Sequence, residues 1–203
     1  MGNPQQDGLD DAELLALYLR GRRKLASALL IRFGSLRELL HADLDALLTE
    51  PGVGAATAAA IRALPETARR YFASSLRPGA AICSPADTEA FLQARLQHLG
   101  HELFCCLYLD NRHRVLRFDE MFRGTIDGTS VYPREVVKEA LAVNAAAVIL
   151  AHNHPSGVAE PSQADERITR RLKSALELVD IRLLDHLVIG AGQATSMASR
   201  GLL

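Results

Sequence analysis

The sequence predicts an α+β or α/β protein in two parts, a small all-helical module over residues 1–78 and a mixed-sheet domain over residues 79–203. Three observations lead there. Residues before Ser74 carry helical periodicity and caps but no strand-like run. Ser74-Ser75-Leu76-Arg77-Pro78-Gly79 has the composition of a linker. Beyond it, short apolar runs alternate with capped amphipathic ones, the pattern of strands and helices that share one sheet.

Residues up to about Gly8 are polar and include Pro4, so a flexible start is expected. Asp10 and Asp11 precede the run Glu13-Leu14-Leu15-Ala16-Leu17-Tyr18-Leu19, a helix with acids at its positive end that Gly21 interrupts. Leu25 to Phe33 reads as a second helix closed by Gly34, and Ser35 caps a third that holds Leu36, Leu39 and Leu40. A short helix from Leu44 to Leu48 leads into Pro51-Gly52-Val53-Gly54. Helix formers then run from Ala55 to about Phe72, with Pro65 expected to break or restart them.

Helix, tight Gly-Val-Gly turn and Ala-rich helix resemble a helix-hairpin-helix, in which the glycines let backbone N–H groups reach a phosphate at a helix N-terminus. The alternative is close packing of two helices, with Ala58, Ala59 and Ile61 where they meet. DNA-contacting versions set basic or hydroxyl residues after the turn. This chain has Ala55, Ala56 and Thr57 there, with Arg62 further on.

In the second part, Ser84-Pro85 opens a helix to about Leu99, with Asp87 and Glu89 in its first turns. Leu103 to Asp110 is an apolar strand, and Asp110-Asn111-Arg112 turns into a second strand from His113 to Phe122. Gly124 to Ser130 is a loop. Pro133 starts a helix through Ala142, which Asn144 follows, and a buried strand runs from Ala146 to Ala151 directly into His152. A helix from Ser162 to about Leu178, a strand from Leu183 to Ile189 and a short edge element within Ser196 to Leu203 complete the chain.

With 203 residues, 48% of them apolar, and a formal net charge of -1, the chain can bury one core or two. It lacks the basic excess of a protein that lives on nucleic acid. Cys83, Cys105 and Cys106 fit neither a disulfide framework nor a CxxC zinc ribbon, and the adjacent pair in an apolar run points to burial. The sequence shows no signal peptide and no long apolar span, so a cytoplasmic location without membrane contact is expected. Metal ligands must then be His, Asp or Glu.

Such ligands stand together in His152-Asn153-His154-Pro155-Ser156-Gly157, continued by Pro161-Ser162 and Asp165. Two histidines one residue apart on an extended segment point to the same side. Gly157 allows a turn, Asn153 and Ser156 shape the loop, and Pro161-Ser162 opens a helix with Asp165 in its first turn. If that helix folds back over the strand end, two imidazoles and a carboxylate converge. Three N/O ligands with a fourth position open are the arrangement of a catalytic zinc site rather than a structural one. Ser-x-x-Asp is also close to a capping box, which would stabilise the helix start without any metal. A surface loop with two histidines is the plain alternative for the His pair.

The spacing H-x-H-P-x6-S-x2-D resembles the JAMM (MPN-plus, JAB) metalloprotease motif, and the wider chain resembles bacterial RadC-like proteins. The resemblance rests on Glu13-Leu14-Leu15-Ala16, Gly52-Val53-Gly54, Gly124-Thr125, His152 to Asp165, Asp185-His186-Leu187 and Arg200-Gly201-Leu202-Leu203. It implies a JAB/MPN (cytidine-deaminase-like) mixed-sheet metal domain after the helical module. It also implies one catalytic Zn2+ held by His152, His154 and Asp165. Glu102 matches the glutamate that contacts the metal-bound water in this family, and Ser162 matches the serine that supports the oxyanion. Asp185-His186 matches the pattern too, with a supporting or folding role behind the ligands expected. The region around Leu19-Arg20-Gly21-Arg22 is shorter than in a typical RadC-like module.

The function so implied is a zinc-dependent peptidase or isopeptidase acting on a protein or peptide substrate. The alternative is a DNA repair or recombination factor that meets DNA through the Gly52-Val53-Gly54 turn, its JAB domain serving as a metal-dependent nuclease or a binding module. A third reading is an interaction domain without catalysis, against which the intact His152, His154 and Asp165 stand. The H-x-E and P-C-x-x-C signature of zinc deaminases is absent. Oligomeric state is not readable from the sequence.

Overall fold

A computed structural model of the chain describes residues 8–75, 84–124 and 131–203. The expected flexible start, the 78/79 boundary, Cys83 and most of the Gly124–Ser130 loop lie outside these residues. The chain divides into two compact units, residues 1–68 and 69–203. No helix among the described residues is long and apolar enough to cross a membrane.

The first unit holds α1 (Asp11–Tyr18), α2 (Arg23–Phe33), α3 (Leu36–His41), α4 (Leu44–Leu48) and the start of α5 (Ala55–Ser75). Its helix ends are set by local chemistry. Asp10 and Glu13 form a reciprocal capping box, Gly34 closes α2 at φ +88°, and Ser35 Oγ accepts the Glu38 N–H at the head of α3. Leu15, Leu29, Leu39, Leu47 and Ile61 form the core, with Val53 of the tight turn inserted among them.

Two expectations change in this unit. Ala58 and Ile61 are buried at i, i+3 spacing, but Ala59 falls on the exposed face of α5. The helix also runs through Pro65 without a break. One missing N–H costs one helical bond, and a helix of 21 residues keeps intact turns on both sides of it.

The second unit is built on a five-stranded sheet in the order β2-β1-β3-β4-β5. The strands are β1 (Leu103–Leu109), β2 (Val115–Arg123), β3 (Ala147–Asn153), β4 (Arg182–Ile189) and β5 (Ala194–Ser196). Among the described residues only the central β3–β4 pair is parallel, joined by α8 (Gln163–Glu177). α6 (Pro85–Leu96) covers one face and α7 (Pro133–Ala142) lies with α8 on the other. The expected helix to Leu99 stops at Leu96, and the edge strand lies at Ala194–Ser196 rather than within residues 196–203. Arg200-Gly201 is a turn, with the Gly201 N–H bonded to the Ala198 carbonyl.

Both faces are packed, so β1 and β3 are buried throughout, and their residues alternate between two cores. Ala147, Ile149 and Ala151 face α6, whereas Val148 and Leu150 face α7 and α8. β3 extends two residues further than expected and ends in His152-Asn153, so His152 lies on the α8 face. β4 reaches the same face through an irregularity. Val148 pairs with Leu183 but Ile149 pairs with Asp185, so Leu184 is an extra residue. Leu183 packs with the α7–α8 core, while Leu184 packs with the α6 core. The bulge resets the alternation, which places His186 beneath α8.

Candidate metal centre

The site forms where β3 ends and α8 begins. His152 is the penultimate residue of β3. The chain then turns at Pro155-Ser156-Gly157, with Gly157 at φ +81° and its N–H bonded to the His154 carbonyl. The turn is stitched to the end of β4, since His154 N–H donates to Ile189 O and Ala191 N–H donates to Gly157 O. A Cβ on Gly190 would lie 2.4 Å from Gly157 O, so this close crossing requires glycine.

Ser162 is the N-cap of α8. Its hydroxyl accepts the Asp165 N–H, while Asp165 Oδ2 accepts the Ser162 N–H and the Ser162 O–H, both at 2.6 Å. The capping box is therefore present, and it fixes the carboxylate that stands beside the two imidazoles.

His152, His154 and Asp165 come together as a group able to hold a metal ion. His152 Nε2 lies 3.0 Å from His154 Nε2 and 3.2 Å from Asp165 Oδ1, and His154 Nε2 lies 3.4 Å from Asp165 Oδ2. A tetrahedral ion with bonds of about 2.0–2.1 Å has ligands about 3.3–3.4 Å apart, so these donors stand close to tetrahedral spacing. No fourth His, Cys, Asp or Glu joins the group among the described residues.

The electrostatics suit a cation. Burial alone would raise the Asp165 carboxyl, but the His152 and His154 imidazoles beside it hold it well below the usual carboxylate range. The hydrogen bond to Asp165 raises His154 against the opposing effect of burial, and the Glu102 charge adds to the rise. Glu102 stands immediately before β1, half-buried, outside the three-residue group but near enough for its charge to act on His154.

The outer nitrogens are held as well. His154 Nδ1 pairs with the Val158 carbonyl at 2.9 Å, which requires a proton on Nδ1 and leaves Nε2 as the inward lone pair. His152 Nδ1 meets His186 Nε2 at 2.8 Å, and His186 Nδ1 meets Thr169 Oγ1 at 2.6 Å. Burial pushes the His186 imidazole well below its ordinary pKa. Phe104 closes the apolar side, its ring parallel to that of His152 and edge-on to His186.

The expected Asp185-His186 pair separates. His186 faces His152 and Thr169, whereas Asp185 accepts from Ser196 Oγ, the Ala198 N–H and the His186 N–H. Asp185 thus braces the β5 turn instead of the imidazole, because neighbours in a strand point to opposite faces.

Asn153 also differs from its expected role in the loop. It is buried in β3, where its Oδ1 accepts the Leu103 N–H and its Nδ2 donates to His101 O. Thr169 and Gly190 escaped the sequence reading. The i, i+4 spacing of Thr169 from Asp165 on an inward helix face was the one available signal for it, and Gly190 had none.

A mixed sheet with helices on both faces, a His-x-His strand end and an aspartate from the next helix define a JAB-type domain with a group able to bind a metal. Comparison with known proteins agrees: the model of the RadC-like JAB domain matches residues 82–202, and the chain belongs to that family. It is 57% identical to a UPF0758 protein of Nitrosococcus oceani over 97% of this chain and 91% of that protein. It is 59% identical to a UPF0758 protein of Thioalkalivibrio sulfidiphilus over 96% of this chain and 90% of that protein. A third UPF0758 protein, from Stutzerimonas stutzeri, is 57% identical over 95% of this chain and 89% of its own length.

Proposed function

We propose that the chain is a zinc-dependent hydrolase of the JAMM type, with His152, His154 and Asp165 as ligands and a peptide or isopeptide bond as target. The observation that carries this reading is the set of three donor atoms 3.0–3.4 Å apart with no fourth protein ligand among the described residues. Zinc fits this donor set, and once bound it supplies Lewis acidity, acidifying water and polarising a carbonyl.

The chain's own groups do the rest. Glu102 takes the proton from water as its oxygen adds to the carbonyl carbon, then returns it to the departing amine. Its place outside the ligand group but within electrostatic reach of His154 supports this role. Ser162 holds Asp165 through the capping box, and rotation of its hydroxyl off Asp165 Oδ2 would free a donor for the oxyanion.

The test is product profiling of peptides, isopeptides and DNA with zinc-loaded protein against Glu102→Gln. The wild-type chain is expected to cleave amide bonds. Glu102→Gln is expected to keep its zinc and lose cleavage, and full activity in that variant would refute the assignment of the base.

A second reading, DNA contact through the Gly52-Val53-Gly54 turn, is favoured by the hairpin of α4 and α5 with Gly52 at φ +87°. Charge opposes it: residues 1–68 carry nine acidic and seven basic side chains. One base beside the turn is already engaged, since the Arg22 guanidinium donates to Gly52 O. Titration of the full chain with duplex and branched DNA at low and moderate salt decides it, and binding that does not weaken with salt would count against phosphate contacts.

A further inference from the structure

His152, His186 and Thr169 are 1%, 0% and 0% exposed, so their polar atoms must find partners inside the protein. Thr169 Oγ1 lies 2.6 Å from the Asp165 backbone carbonyl and 2.6 Å from His186 Nδ1. Contacts that short each need a proton between the heavy atoms, and a hydroxyl has only one to give. The carbonyl has none, so Thr169 donates to Asp165 O and the other proton comes from His186 Nδ1. A neutral, buried His186 then presents a bare Nε2. The 2.8 Å contact to His152 Nδ1 must be bridged by a proton on His152. That leaves the lone pair of His152 Nε2 facing His154 Nε2 and Asp165 Oδ1.

We infer that Thr169 and His186 are positioning residues: a one-way hydrogen-bonded chain, ending on the backbone carbonyl of Asp165, holds His152 as the Nδ1-protonated tautomer with Nε2 open to a divalent cation. The inference rests on the metal reading above and deepens it. The chain starts on one ligand and ends on another, so it ties the end of β3 to the first turns of α8. The opposite proton order would leave two oxygens 2.6 Å apart with no proton between them and would put a proton on the His152 nitrogen that faces the cation.

The first test is nitrogen-15 NMR of the imidazoles in metal-free, full-length protein at about pH 8, where an ordinary histidine is neutral. His152 and His186 are both expected to carry the proton on Nδ1. The second is Co2+ titration, followed by its visible absorption, of wild type, Thr169→Ser and Thr169→Val. Serine keeps the hydroxyl and is expected to bind Co2+ within a few-fold of wild type. Valine keeps the shape but not the hydroxyl, and is expected to mix the His152 tautomers and weaken Co2+ binding about 10–100-fold.

His152 protonated on Nε2 in the wild type overturns the inference. So does a Thr169→Val protein with unchanged tautomers and unchanged Co2+ affinity. Loss of binding in Thr169→Ser equal to that in Thr169→Val shows a packing effect and also overturns it. Failure of the wild-type chain to bind Co2+ overturns the metal reading and with it the purpose of the relay, whereas wild-type binding beside an indifferent Thr169→Val overturns the relay alone.

Discussion

The side-chain oxygen of Asn153 accepts the backbone N–H of Leu103 at 2.9 Å, fifty residues away in sequence. Its amide donates to His101 O at 3.0 Å, so the residue between the two histidines grips both sides of Glu102. One dipeptide step on β3 thus sets both halves of the proposed site, with His152 turned to the His-His-Asp group and Asn153 turned to the segment that carries the proposed base.

Asn153→Ala is therefore expected to leave zinc stoichiometry intact while slowing hydrolysis, because Glu102 loses its fixed placement. Leaving the Leu103 N–H without a partner costs about 1–3 kcal/mol, readable in denaturant unfolding. Normal turnover in a measurably destabilised Asn153→Ala protein would separate the clamp from catalysis.

His154→Ala and Asp165→Ala are each expected to abolish zinc binding, measured by elemental analysis of purified protein. Each removes one of the three donors brought together among the described residues, and Asp165→Ala also removes half of the α8 capping box. Stoichiometric zinc in both variants would refute the ligand set.

Metal affinity is expected to fall with acid, beginning above the ordinary histidine pKa of about 6.5. The Asp165 hydrogen bond raises His154, so a proton competes for Nε2 over that range and loading the cation releases it. In metal-free protein the sign for stability is opposite. The raised folded pKa contributes stability that is fully present below the unfolded value and is lost as pH rises through the folded one. Competition titrations with a chromogenic chelator at several pH values check the first trend, and urea unfolding of metal-free protein checks the second.

Gly190→Ala is expected to disturb the loop that carries His154. Its new methyl would meet Gly157 O at 2.4 Å, a backbone atom that cannot swing aside. Destabilisation of about 1–3 kcal/mol and weaker zinc retention are predicted, by unfolding and elemental analysis. An unchanged melting temperature would refute the requirement for glycine at this crossing.

Cys105 and Cys106 are expected to resist thiol reagents in the folded Cys83→Ser variant and to react only after unfolding. Burial pushes the Cys106 thiol up to about 12 and Cys105 higher still. Rapid labelling of native protein would contradict it.

Much of this molecule was legible because its signals are local. Ser35, Ser84, Ser162 and Pro133 announce helix starts that need only a neighbouring hydroxyl or a fixed φ, and helices begin directly after the three serines and at Pro133 itself. His152, His154 and Asp165 could be brought together from spacing because a strand end, a turn and a helix start leave little freedom between them. The unreadable parts depend on distant partners. The target of Asn153 lies fifty residues upstream, Thr169 acts on a histidine of another strand, and Gly190 matters only because Gly157 passes over it. Asp185-His186 looked like one unit because adjacency in sequence hides the opposite directions of strand neighbours.

The extra residue at Leu184 gives β4 one residue of slack on its way into the site. Removing that one leucine would leave Leu183 opposite Val148 and Asp185 opposite Ile149 in an unbroken ladder, with Leu183 and His186 still on the α7–α8 side. The bulge is thus the place where β4 can be shortened without turning either of its faces over. Beyond it, from Asp185 to Ile189, every residue has a partner on β3 and its face is set by that pairing.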